Sequence, residues 1–282
     1  MDPPECPLRC GNSKSKPSIS FSHGVRKCTE KKYEYRHYTS GDKKHKIQVN
    51  VPRAKVQRAI RLFRATFRAL FQDNGGDFAG LNGTKIKRFD LMSATILKKN
   101  NEWVNSGRQI VGTVPGVEVG DEYHYRVELV LIGLHRQYES GIDYLNEDGR
   151  TLATSIVASG VYADDMHDSD VLVYCGHGGN PQRKKSGGDQ KLKRGNLALK
   201  NSMNAKSPVR VIRGFKEAKG NETLLARLDM DGKLVYDGLY MVEHYWEEQG
   251  QHGNNVFKFR LRRIPGQPVI NWLQKTERAN QQ

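Results

Sequence analysis

Cysteine is scarce in this 282-residue chain: the four that occur are Cys6, Cys10, Cys28 and Cys175. Three stand in a polar N-terminal stretch and one lies far from them, a pattern too sparse for a disulfide scaffold. A zinc site can be drawn from Cys6, Cys10 and Cys28 with His23 or His37. No pair among them has the two-residue spacing of structural zinc knuckles, so no metal or other cofactor is expected. Long apolar runs are missing too, and none approaches the roughly 18–20 residues needed to span a bilayer. Nor does Met1-Asp2-Pro3-Pro4-Glu5-Cys6 carry the basic and then apolar regions of a signal peptide. Acidic residues are in deficit: 31 Asp and Glu face 46 Lys and Arg, a formal net charge of +15. That excess points to a polyanionic partner, nucleic acid before an anionic membrane surface, and to the nucleus rather than the cytoplasm. At 37% hydrophobic and 27% charged residues, the composition supports a packed core and excludes wholesale disorder.

Residues 1–50 are rich in Lys, Ser, Pro and Gly without sustained periodicity, and read as a basic, disordered arm. Pro52 opens a predicted helix in which Val56, Ile60, Phe63, Phe67 and Leu70 recur at three- and four-residue steps. Arg53, Arg61, Arg64 and Arg68 lie on its other faces, and Asn74-Gly75-Gly76 ends it. A second helical stretch runs from about Phe89 to Lys98. Residues 51–110 are thus expected to be a helical segment that packs on the domain after it. From Gly112 the pattern turns to strands. Tyr123, Tyr125, Val127, Leu129 and Leu131 alternate with His124, Arg126 and Glu128, as in a half-buried strand. Further strand runs are Ser155–Ser159, Asp170–Cys175, Pro208–Phe215, Tyr236–Trp246 and Val256–Arg263, with Trp246 expected in the core. Few helices and several strands joined by long loops, notably 176–195, give an α+β or mainly β domain built on a curved sheet or barrel. A short polar tail, 271–282, ends the chain.

A set of local combinations is more informative. Val114-Pro115-Gly116-Val117-Glu118-Val119-Gly120-Asp121 is followed by Gly141-Ile142-Asp143-Tyr144 and Ala153-Thr154-Ser155-Ile156-Val157. Next come Tyr162-Ala163-Asp164-Asp165, Asp170-Val171-Leu172-Val173-Tyr174 and Gly176-His177-Gly178-Gly179. Asp189-Gln190-Lys191-Leu192, Gly195-Asn196-Leu197-Ala198-Leu199 and Pro208-Val209-Arg210-Val211-Ile212-Arg213 follow, and Tyr236-Asp237-Gly238 and Leu261-Arg262-Arg263 close the series. In this order, across residues 111–270, the set resembles the SRA (YDG) domain. Within that family it is most similar to the SRA region of plant SUVH histone-lysine methyltransferase homologues, whose lead-in Ile96-Leu97-Lys98-Lys99 and Glu102-Trp103-Val104-Asn105 also resemble.

The resemblance implies an SRA-like twisted β-barrel or saddle that grips a DNA duplex and holds one extruded 5-methylcytosine. It places Tyr162 and Tyr174 as the stacking walls and Asp165 as acceptor for the cytosine N4 amino group. Gly141 would pass close to the flipped nucleotide, Ser159 and Cys175 would wall the methyl group, and Glu139 would wedge into the vacated duplex. Arg183, Lys184 and Lys185 would face the groove. The residue types suit these tasks: aromatic faces offset unstacking, and a carboxylate accepts from an amino donor. Tyr236-Asp237-Gly238 is given a turn-and-strand role, and His177 is read as a loop residue with no evident partner. Four features depart from the family pattern. Gly160-Val161 stands where two glycines are common, Cys175 where a threonine is common and Glu139 where plant relatives place a glutamine, and the 180–188 loop is short.

The expected function is therefore that of a nuclear, chromatin-associated reader of 5-methylcytosine in double-stranded DNA, without enzymatic activity and with histones or other chromatin proteins as further partners. Two alternatives remain open at this point. One is a degenerate SRA module that binds proteins in chromatin complexes. The other is a fragment of a SET-domain histone H3 lysine methyltransferase, although no pre-SET cysteine clusters follow the domain.

Overall fold

The computed structural model describes residues 51–74, 87–147, 149–158, 170–179, 188–215, 233–250 and 253–270. The arm expected at 1–50 and the tail expected at 271–282 lie outside them. Helix α1 spans Val51–Asp73 and buries Val56, Ala59, Phe63 and Phe67, one stripe at three- and four-residue steps. Ala59 takes a buried slot on this stripe, and Ile60 packs at its edge. Helix α2 spans Phe89–Lys99 and buries Phe89, Ala94 and Leu97. Both helices close over a first core cluster with Val114, Tyr123, Val127, Leu131, Ile212 and Tyr236.

The arginines of α1 largely serve this packing. Arg53 grips the Asp121 carboxylate through both terminal nitrogens, at 2.5 and 2.7 Å. Arg58 meets Glu102 at 2.7 Å, and Arg64 meets the fully buried Glu128 at 2.7 Å. Arg61 and Arg68 stay exposed.

The alternation from Tyr123 to Leu131 does not become a strand. Strand β1 is only Glu122–Tyr123, and Arg126–Leu131 form helix α3. The Glu128 carboxylate accepts the backbone N–H groups of His124 (2.6 Å) and Tyr125 (3.2 Å), satisfying donors at the helix start. Five consecutive residues, Val127 to Leu131, are buried. With every face covered, apolar periodicity no longer separates helix from strand.

The remaining strands are β2 (Ile142–Glu147), β3 (Arg150–Ala158), β4 (Val171–Cys175), β5 (Val209–Phe215), β6 (Lys233–Gln249) and β7 (Asn255–Arg263), with helix α4 (Gly195–Asn204) before β5. The sheet runs β2-β3-β5-β6-β7-β4, with β1 on the flank of β6. Among the described residues only β3 and β5 pair in parallel; the other pairs are antiparallel. The fold is therefore α+β, as expected. Among the described residues β2 and β4 are not paired, so of the expected barrel or saddle the sheet takes the open form. The 17-residue β6 links two cores: Leu234 and Tyr236 belong to the first, Tyr240 and Val242 to a second built with Ile142, Ile156, Leu172, Tyr174, Leu199, Phe259 and Leu261.

Tyr236-Asp237-Gly238 sits in β6, where the register against β5 slips and Asp237 is the extra residue of a bulge. Its buried carboxylate receives Arg213 Nε and the Tyr240 hydroxyl, both at 2.5 Å, with Arg263 Nε at 3.5 Å. Burial pulls the Arg213 charge down, but Asp237 and Tyr240 outweigh it and its pKa is raised. Gly238 adopts φ +118°, and a Cβ there would lie 2.5 Å from Gln267 Oε1. Both geometry and space therefore require glycine. Trp246, expected in the core, is half-buried on the opposite face of β6, stacked on His244 and donating to Glu248 at 2.6 Å. The bulge between Val242 and His244 resets which side chains face inward, and Tyr245 rather than Trp246 packs on Phe259.

Candidate nucleic-acid interface

Strand β4 pairs with β7, setting Tyr174 opposite Phe259 and Cys175 opposite Lys258. Tyr174 is 2% exposed and packs into the second core, yet its hydroxyl escapes the apolar surroundings by meeting His177 Nε2 at 3.0 Å. The other ring nitrogen of His177, Nδ1, lies 3.3 Å from Ser140 Oγ. Burial, followed by the charge of Arg126, lowers the His177 pKa to about 4 and keeps the ring neutral.

The chain around His177 is held from three sides. Asn196, buried at the start of α4, accepts the His177 N–H at 2.8 Å and donates to its carbonyl at 3.0 Å. Gln190 donates to the Gly176 carbonyl at 2.8 Å and accepts the Phe257 N–H at 3.0 Å. The Gly176 N–H in turn reaches the Phe257 carbonyl at 2.7 Å. These contacts explain the Asp189-Gln190 and Gly195-Asn196 motifs: their amides fix the turn that follows Tyr174. His177 therefore has well-defined partners, and its reading as an unpartnered loop residue is corrected.

The loop before β2 closes the other side. The Gly141 carbonyl accepts the Val157 N–H at 2.8 Å. A Cβ on Gly141 would stand 2.7 Å from the Tyr174 hydroxyl and 2.8 Å from His177 Nε2, so a side chain here would displace one of them. Ser140 presents its carbonyl to His135 Nε2 at 2.8 Å and to Arg126 at 3.1 Å. Since the carbonyl can only accept, His135 carries its proton on Nε2 and accepts the Ser155 hydroxyl, 2.8 Å away, at Nδ1. Complete burial, then the Arg126 charge, pushes the His135 pKa down to about 3. Glu139 lies exposed beside this loop, its carbonyl 3.4 Å from Arg126.

Of the residues singled out from sequence, the structure brings Tyr174 and Gly141 together and leaves Glu139 one residue from Ser140, at the rim. Cys175 is buried with its thiol 3.8 Å from the Gln190 amide. Consecutive strand residues face opposite ways, so it does not share the face of Tyr174. Tyr162, Asp165, Ser159, Arg183, Lys184 and Lys185 lie outside the described residues, as do Val161 and the cysteines considered for zinc. Among the described residues no group of three His, Cys, Asp or Glu side chains is placed to hold a metal ion.

Residues 110–267 match the SAD/SRA domain model, and the chain belongs to that family. It is 51% identical over 224 residues to the H3 lysine-9 specific histone-lysine N-methyltransferase SUVH5 of Arabidopsis thaliana, covering 78% of this chain and 28% of SUVH5. A YDG domain-containing protein of the same plant is 43% identical over 82% of this chain and 70% of its own length. Among solved structures, the SUVH5 SRA domain in complex with hemimethylated CG DNA is 58% identical, with a TM-score of 0.50, over 58% of this chain and all of that domain. The chain thus spans under a third of the length of its SUVH5 relative.

Proposed function

We propose that this protein reads methylated cytosine in duplex DNA, with residues 111–270 as the reading domain and chromatin in the nucleus as its place of action. One observation carries this reading: the SRA domain that is 58% identical was solved on hemimethylated CG DNA. The Tyr174–His177–Gly141 cradle is compatible with it, because it sets an aromatic side chain with a fixed hydroxyl inside the matched domain. In the finer reading the base is extruded, Tyr162 and Tyr174 flank it, Asp165 accepts from its N4 amino group, and Ser159 stands near the methyl group. Extrusion costs a few kcal/mol, which stacking on two rings at about 1–3 kcal/mol each offsets. The methyl group adds only about 0.8 kcal/mol by burial, so strong discrimination requires a close-fitting cavity. Most affinity then comes from cations on phosphates, with Arg183, Lys184 and Lys185 among them and the basic arm 1–50 in reserve.

Binding of methylated and unmethylated duplexes at two salt concentrations tests this. Tighter binding of the methylated duplex at both salts, with both affinities falling steeply as salt rises, is the expected result. Equal affinities would reject the reading. Glu139, exposed at the rim, brings a negative charge towards the duplex. Glu139→Gln is therefore expected to tighten binding to methylated DNA several-fold at fixed salt, and unchanged or weaker binding would deny Glu139 a place in the duplex.

A further inference from the structure

We propose that His177 is a positioning residue: by accepting a hydrogen bond from the Tyr174 hydroxyl it holds the phenol tip in place, and so helps set the preference for methylated cytosine. This rests on the base-pocket reading above.

The Ser140 hydroxyl has one proton to donate. That proton is directed to the Ile142 carbonyl at 2.9 Å, so towards His177 Nδ1, at 3.3 Å, the oxygen acts as acceptor. A neutral imidazole carries one N–H, and Ser140 places it on Nδ1. Nε2 is left with its lone pair, and across 3.0 Å the Tyr174 hydroxyl is the donor. Burial and Arg126 keep the ring in the neutral form this arrangement needs.

The imidazole cannot drift, because Asn196 holds both the N–H and the carbonyl of the same residue. The chain is thus α4 backbone to Asn196, Asn196 to His177, His177 to the phenol tip. Core packing holds the faces of the Tyr174 ring, and the hydrogen bond to His177 restrains its tip against swings about the first torsion. Gly141 contributes by leaving the space between hydroxyl and imidazole open, since a Cβ would fall within 2.8 Å of both.

The test compares dissociation constants for one methylated and one unmethylated duplex across wild type, His177→Ala, His177→Gln, Tyr174→Phe and the double variant His177→Ala/Tyr174→Phe. Losing one neutral hydrogen bond predicts about three- to tenfold weaker binding of the methylated duplex in His177→Ala. Binding of the unmethylated duplex, carried by phosphate contacts, should change less than twofold. Tyr174→Phe keeps the ring but removes the donor, so it should lose a similar factor, and the double variant should be no worse than the weaker single one. Glutamine offers an amide oxygen to the phenol and an amide N–H to Ser140, so His177→Gln should recover most of the loss.

Additive losses, or equal losses on both duplexes, would show that His177 supports the loop rather than the phenol and would overturn the proposal. Should His177→Ala fold poorly, Tyr174→Phe and His177→Gln decide: the proposal fails if Tyr174→Phe binds like wild type. A wild type without methyl preference would defeat the pocket reading itself, whereas a wild type with preference that His177→Ala retains would defeat only the role of His177.

Discussion

Asp237→Ala is expected to destabilise the protein by about 3–5 kcal/mol, the cost typical of removing one partner from a buried ion pair. The Asp237 carboxylate is 1% exposed and is shared by Arg213, Tyr240 and Arg263. Arg213 is itself 3% exposed, so the substitution removes the Asp237 charge from beside a buried guanidinium and the Asp237 acceptor from the Tyr240 hydroxyl. Whole domains are stable by only about 5–15 kcal/mol, and much of the variant should therefore be unfolded or lost to aggregation. Asp237→Asn keeps an acceptor for the hydroxyl and should cost less. Pairing Asp237→Leu with Arg213→Met should recover part of the loss, because the uncompensated charge goes with its partner. Urea midpoints at constant slope measure all three. If Asp237→Ala unfolded within about 1 kcal/mol of wild type, the bulge in β6 would not depend on this cluster.

Mild acid is the second condition expected to act strongly. His135 and His177 are held neutral in the fold, with pKa values pushed down to about 3 and about 4. In the unfolded chain both titrate near 6.5. Below that value the unfolded state binds protons the folded state refuses, so stability is complete above about pH 6.5 and drains away as pH falls. The limiting slope is about 1.4 kcal/mol per pH unit for buried His135, and half-buried His177 adds a smaller share. Between pH 6 and 5, above the ordinary carboxylate range of about 4, the loss should come mainly from such histidines. His135→Gln, which can still donate to the Ser140 carbonyl, should reduce the slope of the urea midpoint against pH in that window. An unchanged slope would mean that His135 does not titrate on unfolding.

How much of this was legible in the sequence depended on where side chains had one exposed face. Strand β7 was legible because Phe257, Phe259 and Leu261 alternate with Lys258, Arg260 and Arg262 and turn to the core. Helix α1 was legible because its cations leave one stripe apolar. Helix α3 was not, since Val127 to Leu131 are covered on every side. Helix α4 is hidden in the sequence because it buries Asn196 and Ser202 beside Ala198 and Leu199, and that mixture masks its apolar face. The site shows the same division. Residue type and order single out Tyr174 and Gly141, and the structure places them together. His177 was missed because its partners Ser140 and Asn196 lie 37 and 19 positions away, and spacing does not reveal which loop folds back upon which. The only local hint was its place between Gly176 and Gly178, where a functional imidazole and an idle one look alike.

In the proposed reading a methylated base stacks between Tyr162 and Tyr174 and is held by Asp165. The most direct test is competition between methylated and unmethylated duplexes of one sequence for wild-type protein and for Asp165→Ala. Wild type is expected to select the methylated duplex, and the variant to lose this selection while keeping its salt-dependent grip on both. Identical selection by the two proteins, or none by the wild type, would contradict it.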